Sequence, residues 1–163
     1  MTQDHSFDVV SDFDHQELVN AVDQARREIT TRYDFKNVTV EITLEQDHLT
    51  LLSGTEAQLK SILDVLQSKL HRRGIDLKVL DPQKPEAAAK GNVRQVIKLR
   101  RGISEDRARD LTKRVRAAHP KAQVRTQGEQ LRVSAKDKDE LQAVIQQLKE
   151  LDLDLPLQFT NYR

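Results

Sequence analysis

The sequence predicts an α+β protein of two small domains, each a four-stranded antiparallel sheet with two helices on one face. Three observations predict it. Hydrophobic periodicity passes through the order strand, helix, strand, strand, helix, strand twice over. A stretch with two prolines and a glycine, from Asp81 to Gly91, separates the two passes. A shift of 82 positions places Leu49 on Leu131, Leu51 on Val133, Leu59 on Leu141, Ile62 on Val144, Leu63 on Ile145 and Leu66 on Leu148, the pattern of a duplicated unit.

In the first pass, Phe7, Val9 and Phe13 share one face of a strand. Asp14 then caps a helix over about 15–33, with Glu17 three positions on and Leu18, Val22, Ala25 and Ile29 at helical spacing. Val38, Val40, Ile42 and Leu44 alternate with polar residues, and Leu49 and Leu51 follow a polar turn, which makes a hairpin. Gly54-Thr55 opens a second helix striped by Leu59, Ile62, Leu63, Leu66 and Leu70, and Gly74 ends it. Ile75, Leu77 and Val79 read as a short strand. Residues 82–91 read as a linker or exposed loop.

The second pass begins with a strand through Val93, Gln95, Ile97 and Leu99. Ser104 caps a third helix with Ala108, Leu111, Val115 and Ala118 inward, ended by His119-Pro120. Residues 122–126 and 130–135 form a hairpin around Gly128-Glu129. Asp137 opens the fourth helix, and Leu157 to Tyr162 make a last strand. The order βαββαβ packs most simply as the ferredoxin-like arrangement. The expected domains are therefore 1–81 and 92–163, and the order leaves room for a terminal strand to cross to the other sheet.

Composition narrows the function classes. A chain of 163 residues has room for two such domains. It has no cysteine, which removes disulfides and thiolate metal sites and fits a reducing, cytoplasmic setting. No apolar run is long enough to span a membrane, and Met1-Thr2-Gln3-Asp4-His5 lacks the features of a signal peptide. Among five glycines there is no phosphate-cradling loop, and the five histidines show no ligand spacing. No nucleophile elbow appears. The expectation is a protein that binds without catalysis, with no metal and no cofactor. Residues 1–90 carry 11 Lys+Arg and 16 Asp+Glu, whereas 91–163 carry 16 and 10, so the second half is basic and suits an anionic partner.

Four stretches carry a resemblance: Ser6-Phe7-Asp8-Val9-Val10-Ser11, Thr31-Arg32-Tyr33-Asp34-Phe35-Lys36-Asn37-Val38, Gln127-Gly128-Glu129-Gln130-Leu131-Arg132-Val133 and Pro156-Leu157-Gln158-Phe159-Thr160-Asn161-Tyr162-Arg163. With Lys69-Leu70 through Arg73-Gly74-Ile75 they resemble the YajQ family of small bacterial proteins, in order and over essentially the whole chain. The resemblance implies two ferredoxin-like domains similar to RNA-recognition modules. It also implies nucleotide binding, for which nucleic acid and the signalling dinucleotide cyclic di-GMP have been proposed as ligands. It implies no established enzyme activity, and it assigns no residue a role.

The residues themselves offer two candidate surfaces for a nucleotide, a cyclic dinucleotide or RNA. The first is the joint between the first helix and the following strand. There Arg32 and Lys36 can meet phosphate, Tyr33 or Phe35 can stack on a base, and Asn37 can read a base edge. Because Tyr33 and Phe35 alternate, Phe35 reads as a core plug. The second surface is Lys98, Arg100 and Arg101 at the end of a strand, with Arg107, Lys113, Arg114 and Arg116 on the following helix. The usual aromatic platform for RNA is missing, since neither His48 to Leu52 nor Gln130 to Ser134 contains a phenylalanine, tyrosine or tryptophan. An alternative reading is a protein-interaction adaptor that uses its free sheet faces or edges.

Overall fold

The computed structural model describes residues 4–163. Of the N-terminal stretch read for a signal peptide, Met1, Thr2 and Gln3 lie outside the described residues. In chain order the elements are β1 (His5–Val10), α1 (His15–Thr31), β2 (Val40–Leu44), β3 (His48–Ser53), α2 (Glu56–Arg72), β4 (Leu80–Pro82), β5 (Glu86–Ala87), β6 (Val93–Leu99), α3 (Glu105–Ala118), β7 (Gln123–Gln127), β8 (Gln130–Ala135), α4 (Lys138–Glu150) and β9 (Gln158–Thr160). The helices start where the caps said they would. The Asp14 carboxylate accepts from the Gln16 and Glu17 amides, and Thr55 and Gln58 form a reciprocal capping box.

The division of the chain differs from the one expected at residues 81 and 92. One unit is 13–100, and the other combines 1–12 with 101–163. The reason lies in strand pairing. β1 pairs antiparallel with β8 and β9, in the sheet β7-β8-β1-β9. β6 pairs with β3, β4 and β5, in a sheet whose path is β2-β3-β6-β4. In each sheet one of the two central strands, β1 or β6, therefore comes from the far side of the sequence boundary. With β1 counted as first strand, the second unit has the ferredoxin-like order. With β6 counted as first strand, the 13–100 unit has the same order in circularly permuted form. Within the unit 1–12 with 101–163, the Gly102 amide donates to the Ser11 carbonyl at 2.6 Å, so the chain leaves and re-enters at one place. Gly102 has φ +84° and a Cβ there would stand 2.7 Å from the Glu129 carboxylate, which restricts the position to glycine.

Two local expectations are also corrected. The alternation at Ile75, Leu77 and Val79 is a 3-10 turn over Leu77–Val79, capped by the Asp76 carboxylate on the Lys78 amide at 2.9 Å, and the strand comes just after it. The supposed linker is folded: β4 and β5 run down the edge of β6, with Gln83 N–H to Val96 C=O at 2.8 Å between them. Its prolines fit an edge strand, which needs only half of its amides.

Each unit has its own core on the helix-covered side of its sheet. Leu18, Val22, Ile29, Phe35, Leu49, Leu51, Ile62, Leu66 and Ile97 belong to one. Phe7, Val9, Leu111, Val115, Leu131, Val133, Val144 and Leu148 belong to the other. The expected alternation is exact in β3 and β8, where every second residue is buried. The other face of each sheet carries no helix of its own unit. Among the described residues no helix is long and apolar enough to cross a membrane.

Candidate functional site

The joint after α1 is built by a helix that stops and a ring that must be buried. Thr30 and Thr31 hydroxyls bond back to the Arg26 and Glu28 carbonyls, and Arg32 turns to an extended backbone. Tyr33–Phe35 then makes a single 3-10 turn, which drops Phe35 into the core at 6% exposure and leaves Tyr33 88% exposed. Asn37 follows with φ 61°, a left-handed conformation that asparagine tolerates better than most residues. The Arg32 guanidinium is gripped on both sides. Its Nε and Nη2 meet the Asp34 carboxylate at 3.0 and 2.8 Å, Nη1 lies 3.7 Å from Glu28, and the group stands 5.4 Å from the Phe35 ring centre. The Asp34 hydrogen bond raises the arginine's pKa, and Arg32 in turn lowers that of Asp34. Lys36 is exposed and makes no ion pair among the described residues. Lys36 and Asn37 line a groove of about 650 Å³ with Arg26, Thr30, Val40 and Glu41.

The strand-end cations are placed elsewhere. Lys98 is exposed on the helix-free face of its sheet, with His48 and Asp81 as direct cross-strand neighbours. Val40, where the joint feeds into its strand, lies in the row of Ser53 and Val93, five residues along β6 from Lys98. That is roughly 17 Å along the strand direction alone, so one small ligand does not touch both. Arg100 is consumed by the protein: it donates to the Lys78 and Leu80 carbonyls at 3.0 and 3.3 Å and pairs with Asp81 at 3.1 Å. Arg101 belongs to the other unit, where its Nε meets Asp12 at 2.7 Å. On α3, Arg107 pairs with Asp154, Arg109 with Glu105 and Asp106, and Arg114 with Asp110, the pattern of a solvated ion-pair face.

Sequence reasoning missed a third arrangement, in the β7-β8-β1-β9 sheet. Three of the four recognised stretches meet there. Asp8, on the face opposite Phe7 and Val9, is only 1% exposed although ionisable. Its carboxylate accepts from Arg132 Nε at 2.9 Å, from Arg132 Nη2 at 3.5 Å and from Asn161 Nδ2 at 2.8 Å. The Arg132 hydrogen bond dominates and holds the Asp8 pKa low, against the upward push of burial. Asn161 reaches Asp8 through a bulge. Asp8 faces Thr160, while Ser6 and Arg163 exchange both backbone hydrogen bonds at 3.2 and 2.9 Å, so Asn161 and Tyr162 together oppose Phe7. Asn161 has φ 54°, as the bulge requires. No spacing in the sequence signals this cluster, because its members are 124 and 153 positions from Asp8.

Among the described residues the helix-free faces carry no phenylalanine, tyrosine or tryptophan on their two central strands; the ring that does stand there is the imidazole of His48, beside Lys98. Among the described residues, no group of His, Cys, Asp and Glu is placed to hold a metal ion.

Comparison with known proteins accords with the resemblance read from the sequence. Residues 5–163 match the family described as "Nucleotide-binding protein YajQ-like". A protein of Synechococcus elongatus named as a nucleotide-binding protein is 54% identical over 158 residues, covering 97% of each chain. Similarly named proteins of Chloroflexus aurantiacus and Trichodesmium erythraeum are 52% and 48% identical, each over the full length of both chains. With a match that runs through both units and relatives alike end to end, this chain belongs to the YajQ-like family.

Proposed function

We propose that the protein binds a nucleotide, as the names of its relatives indicate for them, and that it does so without catalysis at the joint between α1 and β2. The observation that carries this reading is Tyr33. A phenol ring 88% exposed, in a chain with two tyrosines, four phenylalanines and no tryptophan, has no packing role to explain it. It stands three positions from Lys36, an exposed cation without an ion-pair partner among the described residues, and next to Arg32, which Asp34 holds in place. A base stacks on the ring, which stands outside the groove that Lys36 and Asn37 line, and Lys36 meets the phosphate from that groove. Cyclic di-GMP and RNA both contain the required base and phosphate, and the site does not depend on which of them supplies it.

Base stacking on an aromatic ring contributes roughly 1–3 kcal/mol, a large share of the approximately −8 kcal/mol of a micromolar complex. Calorimetry of ATP, GTP, cyclic di-GMP and a short single-stranded RNA at two salt concentrations tests the reading. Tyr33→Ala should weaken the tightest of these by about tenfold or more, and Tyr33→Phe should not. Equal affinities for all three proteins would remove Tyr33 from the site. Binding of no probe, alongside capture of a protein partner that survives nuclease and high salt, would favour the adaptor reading instead.

A further inference from the structure

The two sheets share one register, and this makes their differences informative. Leu49 and Leu131 are equivalent positions, facing Ile97 and Val9 respectively. One residue on, across three neighbouring strands of the 13–100 unit, stand Thr43, Thr50 and Val96. The equivalent row in the other unit is Arg125, Arg132 and Asp8. The same architecture thus closes with two threonines and a valine, and the fold alone does not call for charges here. A carboxylate brought out of water costs several kcal/mol unless fully partnered. Two arginines directly opposite one another on a sheet are also unfavourable. Asp8 compensates Arg132, while Arg125 is exposed and makes no ion pair among the described residues.

We propose that the helix-free face of the β7-β8-β1-β9 sheet is a second, independent binding site, in which Arg132, fixed by Asp8, and the neighbouring Arg125 hold a phosphoryl group. Asp8 takes the Nε side of the Arg132 guanidinium, and Nη1 has no protein acceptor among the described residues. The fork is therefore aligned before the ligand arrives and retains donors for phosphate oxygens. Around it on the same face stand Ser6, Gln130, Ser134 and Thr160, hydroxyls and amides suited to a phosphodiester or ribose. Asp8 is the only carboxylate that the four strands place on this face, and the Arg163 charge also acts on it. No ring on the four strands faces this side, so the site grips the phosphate and leaves the base unread. A free nucleotide and an RNA strand both supply that group. Asp8 is a positioning residue and the two arginines are the contacts.

The test is NMR of the arginine Nε–H groups in the full chain, titrated with inorganic phosphate, a mononucleotide and a short single-stranded RNA. The Arg132 and Arg125 signals should move together. Arg132→Lys keeps the charge but loses the fork, and should weaken binding at this face by about tenfold. Arg125→Gln, at an exposed position, should do likewise without lowering the melting temperature, since it also relieves the repulsion from Arg132. Asp8→Asn separates two mechanisms. It removes a negative charge beside an anion, so simple electrostatics calls for tighter binding, whereas loss of alignment calls for weaker binding. A response to the mononucleotide as well as the RNA identifies a nucleotide site, and a response to RNA alone identifies a strand site. Both support the proposal, and Tyr33→Ala should leave either response unchanged. If no probe moves either arginine, or if Asp8→Asn only lowers the melting temperature while Arg125→Gln and Arg132→Lys bind as wild type does, the row merely fixes strand register and the proposal fails.

Discussion

At Asp8 a side chain has left water almost completely and kept its charge, because a guanidinium and an amide replace its hydration. Its pKa is held low in the fold, so folding is stabilised while the carboxylate stays ionised, and the contribution is lost as pH falls through the folded value. The stability difference between wild type and Asp8→Asn, read from urea midpoints, should accordingly be constant above about pH 5 and shrink below about pH 4. A difference that grows on acidification would mean the carboxylate is protonated in the fold. Asn37 and Asn161, both in recognised stretches, show a second residue-scale effect. Each sits at positive φ, where asparagine strains the backbone less than most side chains do. Part of what makes these stretches distinctive is therefore backbone conformation. The same separation runs through Tyr33 and Phe35, one ring almost entirely in solvent and the other in the core.

Among the elements, α2 shows how a helix start is tied to the strand before it. Gln58 Oε1 accepts from the Gly54 and Thr55 amides at 3.0 and 3.1 Å and from the Ser53 hydroxyl at 3.1 Å, while the Thr55 hydroxyl accepts from the Gln58 amide. Ser53 is fully buried at the end of β3, so the cap joins strand and helix. Gln58→Ala should cost roughly 1–2 kcal/mol by chemical denaturation, and an unchanged midpoint would mean that water replaces the amide at no cost. The edge strand β2 is guarded similarly. Arg26 donates to the Ile42 carbonyl, occupying an acceptor that would otherwise invite another chain. Lys69, 8% exposed, bonds Glu28 at 3.0 Å across the α1–α2 pair, and this lowers the glutamate pKa. In the stretch Thr31 to Val38, α1 ends at Thr31, short of the expected end near residue 33, and a 3-10 turn over Tyr33–Phe35 takes the place of its last residues.

At the scale of the whole molecule, strand pairing redraws the electrostatics as well as the domains. Counted by unit, 13–100 carries 14 Lys+Arg and 13 Asp+Glu, and 1–12 with 101–163 carries 13 and 13. The basic half seen along the sequence is thus not a property of either unit, and phosphate binding has to be argued from particular cations. For a strand held by two such contacts, the slope of log affinity against log salt is only about −1.4. The pairing also decides which pieces fold. A fragment spanning 13–100 retains β6 and its entire core and should unfold cooperatively on its own. A fragment spanning 1–81 lacks that central strand and should not. Circular dichroism on heating distinguishes them, and cooperative folding of 1–81 would contradict the pairing.

The sequence by itself determined the order and type of almost all elements, the inward stripes of most of them and the helix caps, because periodicity and capping act over a few neighbouring residues. Ala118, expected inward, is exposed, and Phe7, Val9 and Ile97 lie in the cores of the opposite units. The exceptions were also local: the turn at Leu77–Val79 imitates strand alternation, and the Asp81 to Gly91 stretch hides two short edge strands behind its prolines. Only the tertiary structure decided that β1 and β6 lie in each other's expected sheets, and with that which side chains become neighbours. Backbone hydrogen bonds along a strand edge are chemically alike for nearly every residue, so the partner is chosen by packing and chain closure over the whole molecule. Arg125, Arg132 and Asp8 form one row for that reason, and sequence positions more than a hundred residues apart carry no local trace of it.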